Sequence, residues 1–374
     1  MRIIYIAGVR IPTERAHGIH IMKMCEAFAL LGHEVELAVP KRFNKIKKDP
    51  FDYYCVKRNF KLIKLPCLDL IPLDKYIGVM GLHIMEASFL FSLFFYLLDK
   101  KIDLLYIRDK LLLPLVFFKK NSIFEAHTFP KNPLFYAPFI KRVKRVVVIT
   151  KKLKEQFGAK ALVAPDGVDI NKFKIQSPKS KIREKLGLPQ DKKIVLYAGH
   201  LYVWKGVDTL LEAARNSQFT IPNLQFVFIG GTKEDIESFK VKAEGLKNVL
   251  IVGYKPHSEI PFWLRAADVL VLPNSGKEEI SRHWTSPLKM FEYMASGAPI
   301  VASDLPSIRE VLNSENAILV ESDNPEALAR GIVKALEDKS LSDRISERAL
   351  SDVRQYTWLK RAEKILFQIN HAKV

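Results

Sequence analysis

Glu292 is a carboxylate within residues 284–304, a stretch whose spacing predicts a helix followed by a short strand. At 100° per residue it lies on the border of an apolar arc, where a carboxylate needs hydrogen-bond donors. The vicinal hydroxyls of a sugar or a ribose are such donors, and the N–H groups at the helix start can bind a phosphate. One helix could therefore hold a nucleotide at two places. An ordinary amphipathic helix with a border glutamate fits the same spacing equally well.

The flanking residues predict where this helix begins and ends. Thr285 and Ser286 can cap it, Pro287 suits its first turn, and Gly297 can end it. Residues 300–302 then have the pattern of a short buried strand. The apolar arc of the helix is formed by Leu288, Phe291, Met294 and Ala295.

Lys205 offers a second kind of chemistry, because an ammonium just before a helix can neutralise a diphosphate. It lies in a loop that runs from Gly199 to Gly206, between a predicted strand and a predicted helix. The glycine spacing excludes a dinucleotide fingerprint and a Walker loop. A single lysine in a loop carries no function by itself, so the loop alone leaves the assignment open.

His127 follows the predicted strand 122–126 and is therefore expected at a ligand-facing sheet edge. Its imidazole could contact a ligand there, or it could only cap a neighbouring strand. The sequence contains no Ser–His–Asp order with a nucleophile elbow and no His, Asp or Glu cluster at metal-ligand spacing. We therefore expect neither hydrolase-type nucleophilic catalysis nor a bound metal ion.

Strand and helix patterns alternate along the 374 residues, which is typical of doubly wound parallel sheets. We expect two Rossmann-like α/β domains, residues 1–173 and 174–356, with a ligand cleft between them. A final helix in residues 357–374 could pack back on the first domain. The predicted strands cover residues 2–7, 34–39, 60–65, 103–107, 122–126, 145–149, 160–164, 194–198, 224–229, 249–252, 269–272, 300–302 and 318–320.

The net charge of +18 is concentrated in the first half of the chain. Residues 1–175 contain 31 Lys and Arg against 16 Asp and Glu, a balance of +15, whereas the remainder contains 28 against 25, or +3. The basic half should face an anionic partner, such as a lipid headgroup layer, a phosphorylated acceptor or nucleic acid. A general lysine bias of the source proteome would give the same balance.

Cysteine usage and the apolar runs bear on the compartment. The three cysteines, Cys25, Cys55 and Cys67, have no metal or redox spacing, and their low count suggests a reducing compartment. No signal peptide is evident, so a cytoplasmic location is expected. The longest apolar run, residues 87–98, is shorter than the ~18–20 residues of a membrane span. It predicts a core helix first and a helix in the membrane interface second.

Taken together, three motifs resemble those of the family 4 retaining glycosyltransferases, and the resemblance extends over nearly the whole chain. The family's phosphate loop, Gly-Arg-Leu-x-x-x-Lys-Gly, is matched by the eight residues from Gly199, with His200 in the place of the arginine. Residues 165–169 match its Pro-Asn-Gly-Val-Asp linker, and residues 287–302 match its Pro-Leu-x-x-x-Glu-x-Met-Ala-x-Gly-x-Pro-Val-Val-Ala helix. The resemblance implies the GT-B fold, in which two Rossmann-like domains face a cleft.

The resemblance also implies roles for individual residues. Glu292 would bind the ribose, Lys205 would contact the diphosphate and assist its departure, and His127 would lie beside the transferred sugar. Further contacts with the nucleotide sugar would come from Gly18, Gly199, His200, Tyr254, Lys255, Ser286, Pro287 and Leu288.

Two departures from the family pattern affect the donor site. The family has a second glutamate eight residues before the ribose glutamate, where this chain has Trp284. Arg282 or His283 could supply the missing donor-sugar contact. His200 is a titratable replacement for the arginine of the phosphate loop.

The resemblance predicts a hexosyltransferase that moves a sugar from a UDP- or GDP-linked donor to a lipid-linked or polysaccharide acceptor. Retention of configuration, no cofactor and no metal ion are part of this prediction, as is contact with the inner face of an anionic membrane through the basic domain. No nucleic-acid partner is expected, because no such binding module is evident. Two alternatives remain open: a non-catalytic basic module that binds an anionic surface, and another GT-B enzyme such as an epimerase or a phosphorylase.

Overall fold

Two parallel β-sheets organise the computed structural model, which describes residues 1–119, 121–217 and 223–370. Each predicted strand is confirmed, with ends that differ by at most one residue. In chain order the strands are β1 Arg2–Ile6, β2 Glu34–Pro40, β3 Lys61–Leu65, β4 Leu104–Ile107, β5 Ser122–Ala126, β6 Arg145–Val148, β7 Ala161–Val163, β8 Lys193–Ala198, β9 Leu224–Ile229, β10 Val249–Gly253, β11 Val269–Leu272, β12 Ile300–Ser303 and β13 Ile318–Val320.

The helices alternate with the strands, as the periodicity predicts. The α-helices are α1 Ala16–Leu30, α2 Pro50–Tyr54, α3 Asp74–Ile77, α4 Met80–Leu98, α5 Pro133–Arg142, α6 Lys151–Phe157, α7 Lys179–Leu186, α8 Val207–Ser217, α9 Lys233–Lys242, α10 Ile260–Ala266, α11 Glu279–His283, α12 Leu288–Ser296, α13 Pro306–Arg309, α14 Pro325–Glu337, α15 Lys339–Asp352 and α16 Trp358–Asn370. Short 3₁₀ segments cover Ile71–Leu73, Lys110–Phe117, Gly158–Lys160, Ile170–Phe173, Val203–Lys205 and Val353–Gln355.

The chain divides into two compact units, each built around one sheet. The first unit contains Met1–Pro165 and the C-terminal helix α16, and its strands run in the order β3-β2-β1-β4-β5-β6-β7. The second unit, Asp166–Thr357, has the order β10-β9-β8-β11-β12-β13. The sequence placed this boundary near Phe173, whereas the structure places it after Pro165. The 3₁₀ turn at Phe173 belongs to the second unit because Phe173 packs into that unit's core.

All strand pairs in both sheets are parallel, and the strand order reverses once in each sheet. In the second sheet the reversal lies between β8 and β11. Alternate residues of β8 point to two different apolar cores, with Leu196 in one and Val195 in the other. Helices therefore cover both faces of this sheet, which leaves the loops at the carboxyl ends of its strands as the expected ligand site.

Helix α12 differs from the predicted helix at its start. Pro287 occupies the N-cap with extended backbone angles, so it precedes the first turn, and no side chain caps the helix. The predicted capping by Thr285 or Ser286 is therefore wrong; the Ser286 hydroxyl instead accepts a hydrogen bond from the Asp166 N–H at 3.2 Å. Gly297 ends the helix in the left-handed region at φ +75°, as predicted. Residues 289–296 are all buried, so α12 lacks the solvated side of an amphipathic helix.

Helix α4 is buried on one side only. In the part of the chain that the structure describes, it is the single helix whose length and composition would suffice to cross a membrane. Its buried residues repeat at every fourth position, a stripe made of Gly81, Met85, Phe89, Leu93 and Leu97. Large apolar side chains also lie on its exposed side, which the structure leaves uncovered. The predicted core helix over residues 87–98 therefore packs into the core along this stripe only, and its other side stays exposed.

Candidate functional site

The loop after β8 lies where the strand order of the second sheet reverses. Gly199 starts it, and the Gly199 N–H donates to the Ile229 carbonyl at the end of β9 (2.8 Å). At the other end, Gly206 approaches the chain after β11 so closely that an added Cβ would lie 1.6 Å from the Pro273 oxygen. Gly206 also has φ +72°, a conformation that glycine adopts without strain. The two glycines therefore let the loop pack tightly against the carboxyl ends of β9 and β11.

Lys205 is the last residue of the 3₁₀ turn Val203–Lys205, and α8 begins two residues later. Its Nζ lies 3.8 Å from the centroid of the Trp204 ring. Burial lowers the pKa of Lys205 to about 7, and no acidic group among the described residues offsets this effect. A lysine that lacks a carboxylate partner at the start of a helix has the electrostatic environment expected for binding an anion.

Lys289, in the first turn of α12, is a site residue that the sequence analysis missed. Its side chain is buried, and its Nζ lies 3.6 Å from the centroid of the Tyr197 ring. Burial lowers the pKa of Lys289 well below its ordinary value, and the charge of Lys205 lowers it further. The sequence signal was a lysine in a stretch of otherwise buried residues, which the motif comparison passed over as a variable position.

Glu292 is buried near the middle of α12 and has a side-chain partner. Its Oε1 lies 2.6 Å from Nε2 of His257, in the loop after β10. His257 therefore supplies a hydrogen-bond partner to the carboxylate that was predicted to bind a ribose. The hydroxyl of Tyr293, the next residue, accepts a hydrogen bond from the Ala198 N–H at 2.8 Å. This bond fixes α12 against the end of β8.

The remaining predicted contacts lie in the loops and turns around the same sheet edge. Ser286 and Pro287 are buried, and Leu288 is half-buried at the start of α12. Tyr254 is exposed just after β10, and the Lys255 ammonium lies 5.7 Å from the Trp263 ring centroid.

His200 has an aromatic environment, because its ring stacks on Tyr202 at 4.9 Å with an interplanar angle of 3°. A separate cavity of about 580 Å³ borders the same loop at Tyr202 and Trp204 and is also lined by Glu234 and Asp235 of α9. Lys242 also lines this cavity, but its ammonium is paired with Asp208, so the two carboxylates would still repel a diphosphate and the donor is not assigned there.

The first unit contains a buried ionic network centred on Glu125 of β5, whose side chain is fully buried. Its Oε1 lies 2.9 Å from Arg361 Nη2, 2.9 Å from His127 Nε2 and 2.7 Å from His20 Nε2, and its Oε2 accepts from the Tyr106 hydroxyl. Burial would raise the pKa of Glu125, but the charges of Arg361 and His20 outweigh it and hold the pKa well below its usual value.

His127 is therefore part of a structural network as well as a candidate for the sugar site. Burial, together with the Arg108 charge, lowers the pKa of His127 to about 4, so the ring is neutral at pH 7. Nε2 of His127 lies 2.9 Å from the Glu125 carboxylate, so the neutral ring donates its one N–H hydrogen bond to that carboxylate. Nδ1 is then the ring atom that can accept a hydrogen bond from another group.

Three ligand-type atoms of the Glu125 network, from His20, Glu125 and His127, lie within 4.8 Å of one another, a spacing that a metal ion would require. The Arg361 guanidinium is bonded to the same glutamate oxygen, and Arg108 Nη2 lies 3.3 Å from His127 Nε2. A metal ion there would face two guanidinium groups at close range, so these residues do not fit a cation site.

Gly18 has a packing reason to be glycine. It is buried in α1, where an added Cβ would lie 2.1 Å from the Tyr54 hydroxyl. That hydroxyl accepts from the Thr13 N–H at 2.6 Å and donates to the Thr13 carbonyl at 2.8 Å, which fixes the loop before α1. The structure thus brings the loop lysine and α12 together in the second unit, whereas Gly18 and His127 belong to the first.

Comparison with known proteins identifies a domain within the second unit. Residues 178–352 match the family described as glycosyl transferases group 1. A phosphatidyl-myo-inositol mannosyltransferase of Mycobacterium tuberculosis is 30% identical over 219 residues, which are 57% of this chain and 54% of the relative. The chain spans about half the length of the curated relatives it matches.

The fold extends over the whole chain. A sucrose-phosphate synthase from Thermosynechococcus elongatus superposes with a TM-score of 0.78 at 20% identity, with full coverage of both chains. HepE of Anabaena, solved in complex with UDP, gives a TM-score of 0.74 at 16% identity; the superposition covers 99% of this chain and 100% of HepE. The predicted fold, that of GT-B glycosyltransferases with two parallel-sheet units, is confirmed, whereas the narrower assignment to family 4 stays a prediction.

Proposed function

We propose that this chain, which carries a glycosyl transferases group 1 domain, transfers a sugar from a nucleotide-linked donor to an acceptor. The observation that carries the proposal is Lys205, a lysine without an acidic partner at the carboxyl edge of the second sheet and beside the start of α8. Its ammonium would stabilise a departing diphosphate, which is where charge develops in the reaction. One structural neighbour, HepE, was solved in complex with UDP, which supports a nucleotide-linked donor as the ligand.

The proposed mechanism assigns separate tasks to the site residues. Lys205 and the N–H groups in the first turn of α12 would stabilise the diphosphate as the bond to the sugar breaks, without a metal ion. Glu292 would accept hydrogen bonds from the ribose hydroxyls, and Tyr254 and Lys255 would lie along the base. His127 would help to position the sugar. We expect an oxocarbenium-like transition state and retention of configuration.

Calorimetric titration with UDP and GDP is the direct test of donor binding. Binding of either nucleotide, together with release of the same nucleotide from a sugar donor, supports a transferase. Binding without turnover of any sugar donor would favour the non-catalytic alternative. Conversion of a sugar nucleotide without transfer, or phosphorolysis of a glycan, would favour another GT-B enzyme.

A lipid-linked acceptor is the acceptor class that the first unit favours. This unit contains most of the chain's positive charge, and α4 exposes Phe91 and Phe95, with 67% and 55% of their surfaces accessible. The aromatic surface continues from α4 onto Phe118, the residue that follows the 3₁₀ segment Lys110–Phe117, because the rings of Phe94 and Phe118 lie 4.9 Å apart between centroids. Exposed aromatic rings on a unit with a positive net charge suit the interface of an anionic membrane.

Co-sedimentation with vesicles that contain anionic lipid tests this proposal. The wild-type protein should bind at low salt, and each basic residue close to the surface should contribute about 1 kcal/mol, reduced by salt screening. Replacement of Phe91 and Phe95 by Ser should weaken binding. Val241→Ser in the second unit is the matched control, because Val241 is also exposed (73%). Equal binding of all three proteins would show that the exposed aromatic rings of α4 do not contribute to membrane binding.

A further inference from the structure

Lys289 is a buried lysine whose ammonium makes no hydrogen bond. The residue is 8% exposed, and no atom of the described residues accepts a hydrogen bond from its Nζ. Its close contact is the face of the Tyr197 ring, 3.6 Å away. A buried ammonium without an acceptor is unfavourable, because the ring face replaces only part of the lost hydration. The ammonium is therefore a polar group that an anionic ligand could satisfy.

The position of this ammonium is set by the phosphate loop. An added Cβ at Gly199 would lie 3.0 Å from Lys289 Nζ, so the ammonium lies against the backbone of the first loop residue. The Tyr197 hydroxyl donates to the His200 carbonyl at 2.6 Å and holds the loop above the same ring. Lys289 thus reaches the loop from α12, whereas Lys205 reaches the same region from the loop itself.

The charges around Lys289 do not neutralise it. The nearby Lys205 charge opposes its protonation. Glu292 favours protonation, but the Glu292 carboxylate is already bonded to His257 at 2.6 Å. A ligand that carries at least two negative charges would relieve the repulsion between the two lysines. A diphosphate group matches this requirement, and so does free pyrophosphate.

We propose that Lys289 is a second diphosphate-binding residue, which supplies from α12 the cation that the loop lacks where His200 stands. This inference rests on the proposed function, because it concerns the same donor site. It assigns the charge of the site to two elements, the loop and the helix. The phosphate-loop arginine of the resembled glycosyltransferases would then be unnecessary in this chain.

The test compares Lys289→Met with wild type by calorimetry, using UDP, GDP, uridine, guanosine and pyrophosphate. Loss of a charged contact should weaken diphosphate binding by about 10- to 100-fold and leave nucleoside binding unchanged. The exposed lysine Lys240 provides the control variant Lys240→Met, which removes the same charge from the same unit and should bind normally. His200→Arg combined with Lys289→Met should recover much of the lost affinity.

Thermal unfolding without ligand separates a binding role from a structural one. Removal of an unsatisfied buried ammonium should leave the melting temperature unchanged or raise it. Diphosphate binding equal to wild type, or equal losses for nucleosides and diphosphates with a lower melting temperature, would overturn the inference. Failure of His200→Arg to restore affinity in the Lys289→Met variant would refute the claim that Lys289 takes the place of a cation in the loop. Failure of the wild-type protein to bind UDP and GDP would contradict the proposed function. In that case, the comparison of pyrophosphate binding by wild type and Lys289→Met would still test the role of Lys289.

Discussion

Diphosphate binding should weaken as the pH rises through 7, because the ammonium of Lys205 must be charged to bind the ligand. Burial lowers the pKa of Lys205 to about 7 in the free protein. An adjacent diphosphate favours the protonated form and raises that pKa, so binding takes up a proton. Above pH 7 the terminal phosphate is already ionised, with a pKa of about 6, so the trend reports on the protein.

The size of the effect follows from the free-state pKa. With a value near 7, about half of the Lys205 side chains are charged at pH 7 and roughly 3% at pH 8.5. If the bound pKa lies well above 8.5, affinity should fall about 15-fold over this range through Lys205 alone. Proton uptake attributable to Lys205 should be about half a proton at pH 7 and close to one at pH 8.5.

Calorimetry in two buffers of different ionisation enthalpy measures both quantities. Lys289 also titrates below its ordinary range, so the contribution of Lys205 is taken as the difference between wild type and Lys205→Met. The variant should bind the diphosphate more weakly and take up fewer protons on binding than wild type. Equal proton uptake by the two proteins, or a wild-type affinity that stays constant from pH 7 to 8.5, would refute this account of Lys205.

Three further substitutions test other parts of the site. Glu292→Gln should weaken UDP or GDP binding by roughly 1.5–3 kcal/mol and leave pyrophosphate binding unchanged in calorimetry; unchanged nucleotide affinity would remove it from the ribose site. His127→Ala should lower the transfer rate more than nucleotide affinity, whereas a lower melting temperature with proportionate losses would assign it to the fold. Glu125→Gln should destabilise the protein by about 3–5 kcal/mol in urea titrations, because Arg361 would lose its buried counter-charge. A stability equal to wild type would contradict that role.

The strands could be predicted from the sequence because parallel strands that are covered on both faces appear as short apolar runs between turn residues. The start of α12 could not be predicted from the sequence, because the capping rules consider each helix end without its tertiary contacts. Tertiary contacts decided it: the Ser286 hydroxyl bonds to the Asp166 N–H instead of the helix. The apolar sequence of α4 does not reveal which side of the helix is buried, because apolar content predicts burial only where another element covers it.

The candidate site was predictable only in part. The loop lysine and the α12 glutamate could be found because they belong to recognisable motifs. Lys289 was missed because its unsatisfied burial depends on Tyr197 and Gly199, which are distant in sequence and reveal nothing about it by spacing. The network around His127 depends on Arg361, which lies 236 residues from Glu125 in the chain. Contacts between residues so far apart in the chain can be identified only from the folded structure.

The most direct test of the central claim is release of UDP or GDP from a panel of sugar nucleotides, measured with wild type and Lys205→Met. The account predicts that wild type releases the nucleotide from at least one donor, slowly to water and faster with an acceptor. Lys205→Met should be strongly impaired with that donor, while Lys240→Met should match wild type. Absence of nucleotide release from every donor, or equal release by wild type and Lys205→Met, would contradict a transferase that works through Lys205.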